Sequence, residues 1–156
     1  MEQSGLSGLP EKRMGEKGDA GAIRDISGRR FCWISGLTKG TRPANWYGDW
    51  WLQVAHLSSG SGAMHRVNDR RAVVLLCPLV HECHVNDSER IAEKKIGGRS
   101  YPTIDASHLL WIKQIMDPGF YDPEFYSRIW TGSPPDPKRP PAYWMNMLFE
   151  NTGLSL

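Results

Sequence analysis

Apolar and polar positions divide the chain into three zones. Residues 1–25 hold few large apolar side chains among Gly, Glu and Lys. Such a stretch cannot offset the entropy of ordering itself, so a disordered tail is predicted there. Order is predicted to begin at residues 31–35, followed by a polar loop over 36–45. Residues 46–57 are rich in aromatic and apolar side chains and predict a strand ending near His56. Residues 58–62, Ser-Ser-Gly-Ser-Gly, can only be a flexible loop. Residues 72–76, Ala-Val-Val-Leu-Leu, read as a second strand. The two strands predict an antiparallel hairpin with a long connection. Pro78 suits the first turn of a helix, expected over about 79–95 and ended by Gly97-Gly98.

The last third changes to helical spacing. Thr103, Ile104 and Asp105 offer caps for a helix through Met116, with Leu109, Ile112 and Met116 on one face. Pro118 stops it. Asp122, Pro123 and Glu124 open a second helix over 123–131. A proline-rich linker over 132–141 precedes a last helix at about 142–151. The aromatics Phe120, Tyr121, Phe125, Tyr126, Trp130, Tyr143 and Trp144 read as packing anchors. The expected class is α+β: a disordered tail over 1–25, a small core unit over 26–100, and a mostly helical extension over 101–156.

Composition narrows the setting. A chain of 156 residues is about one domain, and its 16 Gly and 11 Pro imply much loop. The longest apolar run, residues 72–80, is far short of the ~20 needed to cross a bilayer. No membrane partner is expected. No basic-then-apolar segment opens the chain. Three cysteines, an odd number, argue against a secreted disulfide framework. A reducing, cytoplasmic location is the expectation.

Charge is uneven. Residues 26–100 hold eleven Lys and Arg against six Asp and Glu, while the flanking zones are slightly acidic. Arg29, Arg30, Lys39, Arg42, Arg66, Arg70 and Arg71 are placed to approach phosphates, where cations gain from counterion release, and Arg66, Arg70 and Arg71 are the candidate nucleic-acid contacts.

The basic zone is also where the metal-capable side chains gather. All three cysteines and four of the five histidines lie between residues 32 and 84. The densest run is Cys77-Pro78-Leu79-Val80-His81-Glu82-Cys83-His84. Borderline and soft ligands at a strand-to-helix junction point to a metal site. His65 and His108 have no such support.

A strand, a long loop, a strand and a helix, with histidines at the first strand's end and the helix start, is the ββα-metal arrangement. Ala55-His56-Leu57, the stretch from Arg66 to Cys77, and His81 together resemble the HNH endonuclease family. Cys32-Trp33-Ile34-Ser35-Gly36 is similar to the first half of the zinc knuckle many of its members carry. The resemblance spans residues 30–88. It implies a DNA partner and His56 as the general base that deprotonates water. It implies a divalent cation (Mg, Mn, Ni or Zn) at His81, with His84 as a second ligand three residues on. Small HNH proteins are often carried by phages or mobile elements.

The chain departs from the family pattern at four positions. Ala55 stands where a metal ligand often precedes the base, and Ala72 where the middle Asn usually falls. Ser35 and Val80 replace the second cysteine of each Cys-x-x-Cys pair. Cys83, one helical turn past Val80, is a candidate to join Cys32 and Cys77 around a structural zinc, with His84 as fourth ligand. Two other readings stay open. One is a catalytically degenerate HNH-like module that binds nucleic acid or protein. The other is a small zinc-binding structural protein that docks a partner protein through its C-terminal third.

Overall fold

The computed structural model describes residues 30–58, 69–86 and 92–156. The class is α+β. The expected tail at 1–25, and the residues Arg66 and His65, lie outside the described residues.

Strand β1 (Gln53–His56) pairs antiparallel with β2 (Val73–Leu76), with His56 opposite Val73 and Gln53 opposite Leu76. A 3-10 turn at Arg70–Ala72, capped by the Asp69 carboxylate on the Arg71 N–H, aims the chain into β2. All four β2 residues are buried. Such a strand reads as a continuous apolar run rather than an alternating one, as Val-Val-Leu-Leu does. Helix α1 (Pro78–Glu82) follows at once, with Pro78 in its first turn. The β-β-α order is therefore present.

The helix is much shorter than the expected 79–95. After Cys83 the backbone turns extended and pairs with a segment twenty residues on. Val85 N–H bonds to Ile104 O at 2.8 Å and Ile104 N–H to Cys83 O at 2.9 Å. A second antiparallel hairpin then occupies the space, β3 (Glu93–Ile96) and β4 (Arg99–Pro102). Gly97 and Gly98 form its two-residue turn with φ of 57° and 83°, the backbone that hairpin turns of this length demand. A side chain at Gly97 would collide with the Asn45 carbonyl.

The helical third follows its sequence signals closely. Helix α2 (Ala106–Met116) starts at an Asp105 capping box. Helix α3 (Pro123–Ile129) starts with the Asp122 carboxylate on the Phe125 N–H. Helix α4 (Ala142–Thr152) ends at Gly153 with φ of 76°. These helices share one core with the hairpin. Trp33, Leu75, Leu79 and Ile104 are buried in the same cluster as Ile112, Tyr126 and Trp144. Asn151 also donates to Ser35 O at 2.9 Å, tying α4 to the turn that holds Cys32. Helix α2 contributes a buried cation. Lys113 Nζ reaches Arg70 O at 2.6 Å, Val73 O at 2.9 Å and Asp117 Oδ2 at 2.9 Å. This fixes the entry to β2 against α2. No described helix is long and apolar enough to cross a membrane.

Candidate functional site

The site is built where β1, β2 and α1 meet. Side chains alternate along a strand, so Gln53 and Ala55 share one face of β1 while Val54 and His56 share the other. Ala55 is buried. Gln53 reaches α1, its Oε1 lying 2.7 Å from His81 Nδ1. An amide oxygen accepts, so Nδ1 carries the proton and Nε2 keeps its lone pair. His81 sits at the surface end of α1. Burial of its inner side lowers its pKa, and the charge of nearby His56 lowers it further against the pull of Glu82. His81 is thus held neutral, as a metal-ligating imidazole must be. His56 lies on the opposite face of β1 from Gln53, and what links it to His81 is the effect of its charge on the His81 pKa.

His84 is placed elsewhere. It lies beyond the end of α1, in the extended segment that bridges to Ile104. It does not share a helical face with His81. Its Nε2 is buried without a hydrogen-bond partner. Burial first, then His81 and His108, bring its pKa down to about 4 despite Asp105. Among the described residues, no group of three or more His, Cys, Asp and Glu is arranged to hold a metal ion.

Two of the three cysteines do come together. Cys32 sits in a tight turn in which Ser35 N–H donates to its Sγ at 3.4 Å, and Ser35 Oγ lies 3.6 Å from Cys77 Sγ. Burial would push the Cys32 thiol up, but hydrogen bonds from Cys77 and Ser35 outweigh it and bring its pKa down. Cys77 is pushed well up by burial and then by Cys32, although the Val80 N–H faces it. The Cys-x-x-Ser and Cys-x-x-Val turns thus keep backbone N–H groups aimed at sulfur. Cys83 does not join them. It is buried next to Glu82 and Lys94, and burial followed by Glu82 raises its thiol to about 12.

The arginines turn inward. Arg70 is buried, holds Asp117 at 3.0 and 2.6 Å, and stacks 3.8 Å over the Phe120 ring. Arg71 pairs with Asp69 at 2.8 Å and Asp122 at 3.0 Å, and stacks on Phe125. Both charges serve the packing of α2 and α3 onto the hairpin.

Sequence reasoning missed Gln53. Its only signal is parity: it stands two residues before Ala55, on the strand face that meets α1. No protein-family model matches the chain, and neither does any curated protein or solved structure.

Proposed function

We propose that this chain is an HNH-like endonuclease that hydrolyses DNA phosphodiester bonds with a divalent cation held at His81. The observation that carries the reading is the Gln53–His81 hydrogen bond. Metal-ligating histidines commonly give their second ring N–H to an oxygen acceptor, which fixes tautomer and ring orientation. Gln53 does this for His81 and leaves Nε2 available at the surface. A cation there would be held by His81 Nε2, since among the described residues no group of three or more His, Cys, Asp and Glu is arranged to hold one. Bound there, the cation supplies charge stabilisation to the phosphate and the departing oxygen.

The chain's own residues do the rest. His56, at the end of β1 and within electrostatic reach of His81, accepts the proton of the attacking water. Gln53 keeps the His81 ring from turning. The test is cleavage of an end-labelled DNA duplex with Mg²⁺, Mn²⁺, Ni²⁺ or Zn²⁺, against the same reaction in chelator. Cation-dependent cleavage is expected, and cleavage indifferent to chelator contradicts the role of His81.

A second reading, a binding module that has lost catalysis, is favoured by one feature. Ala55 occupies the position on the Gln53 face of β1 where the family often places a second ligand, and it is buried. On that reading the protein binds DNA without cutting it, and His56→Ala changes nothing.

A further inference from the structure

Two large aromatic side chains stand out in the described surface. Tyr47 is 85% exposed and Trp51 is 50% exposed. Neither contributes to the core, although the neighbouring Trp50 is buried and Trp46 is partly buried against it. The loop that carries them is held rigidly. Arg42 donates to Trp46 O at 3.1 and 2.7 Å, Trp46 Nε1 to Asp49 O at 3.0 Å, and Trp50 Nε1 to Thr38 O at 2.9 Å. Trp46 and Trp50 pack edge to face with centroids 5.9 Å apart. The exposed rings therefore project from a braced frame.

The frame carries a matching charge. Lys39 and Arg42 are exposed on the same loop. Asn45 Nδ2 ties it to the second hairpin through Ile96 O at 3.2 Å and Tyr101 Oη at 2.8 Å. That hairpin adds the exposed Arg99 on its Tyr101 face, while Lys95 and Glu93 lie on its other face, and the exposed carboxylate of the loop is Asp49. Exposed aromatic faces on a rigid support, flanked by a cationic excess, are what unpaired nucleic acid bases and their phosphates require.

We propose that residues 39–51, with the adjoining β3–β4 hairpin, form a docking surface for an unpaired nucleic acid strand. Bases stack on Tyr47 and Trp51, and phosphates lie along Lys39, Arg42 and Arg99. Trp51 is two residues from Gln53, the residue that holds His81. The proposal deepens the nuclease reading by naming unpaired DNA as the bound substrate, but its test needs no cleavage.

The experiment is fluorescence anisotropy of a labelled thymine 20-mer, free and in duplex form, titrated with the full chain in chelator. The single strand is expected to bind more tightly than the duplex. Tyr47→Ala and Trp51→Ala should each weaken it by about tenfold, with unchanged thermal melting. Lys39→Ala should lower the salt dependence while leaving the preference for the single strand intact. Equal binding by native protein and both aromatic variants overturns the proposal. So does no binding of the single strand by the native protein, which would assign the aromatic face to a protein partner. Binding lost in Trp51→Ala while the native protein cuts no DNA leaves this surface standing and removes the nuclease reading. Cutting with unaltered binding in the variants does the reverse.

Discussion

Gln53 Oε1 lies 2.7 Å from His81 Nδ1, joining the first residue of β1 to the helix that follows β2. The bond fixes which ring nitrogen of His81 keeps its lone pair. Gln53→Ala removes the acceptor and frees the ring to rotate or change tautomer. Affinity for Mn²⁺ or Ni²⁺ should fall by roughly 10- to 100-fold, the usual loss when such an orienting partner is removed. Gln53→Glu, which keeps an oxygen there, should retain most of the affinity. Calorimetric titration of the three proteins decides it; equal affinities would mean that Gln53 does not orient a ligand.

The histidines behind the site set a pH dependence. His81, His84 and His108 all have pKa values lowered from 6.5 chiefly by burial, with His84 down to about 4. The unfolded chain therefore takes up protons at higher pH than the folded one. Stability is full above pH 6.5 and is lost as pH falls from there toward 4. For His84 the loss is up to roughly 3 kcal/mol. Melting temperatures at pH 7.5, 6 and 5 should fall in that order, and His84→Phe should flatten the slope between them. A slope unchanged in His84→Phe would place the effect on other groups.

The deepest polar contacts predict where the fold is most fragile. Asp117 receives Arg70 at 2.6 Å and Lys113 at 2.9 Å, all three side chains being almost wholly buried. Removing one partner of such a group leaves buried charge uncompensated, at a cost of about 3–5 kcal/mol. Asp117→Ala should lower the urea midpoint accordingly, well beyond a surface control such as Glu124→Ala. A loss below 1 kcal/mol would show that water enters to compensate.

The paired turns at Cys32 and Cys77 predict that a zinc site can be built there. Ser35 and Val80 each stand three residues after a cysteine and present a backbone N–H to sulfur. The double variant Ser35→Cys, Val80→Cys supplies four thiols to one point. It should bind one equivalent of Zn²⁺ and melt higher with zinc than in chelator, whereas either single variant should gain less. Absence of zinc binding in the double variant would mean that the two turns are not in register.

Local signals made most of the fold legible. Asp105, Asp122 and Gly153 mark helix ends whose capping depends only on neighbouring residues. The Val73–Leu76 run is apolar enough to declare a buried strand. The failure lies at 79–95, where helical spacing after Pro78 is overridden by the pairing of residues 83–85 with Ile104. A contact across twenty residues leaves no periodic trace. Gly97-Gly98 did carry a signal, because two glycines between short segments also fit a hairpin turn. That same override moves His84 out of line with His81. Arg70 and Arg71 illustrate the other limit: a sequence shows charge, but not that Asp117, Asp69 and Asp122 meet it inside.

The proposed hydrolysis depends on His56 and a divalent cation. Its most direct test is nicking of supercoiled plasmid by purified protein with Mg²⁺, Mn²⁺, Ni²⁺ or Zn²⁺, beside His56→Ala at matched folding. Conversion to the open circle by the native protein, abolished both by chelator and by His56→Ala, is the predicted result. No nicking with any of the four ions, or equal nicking by the two proteins, contradicts it.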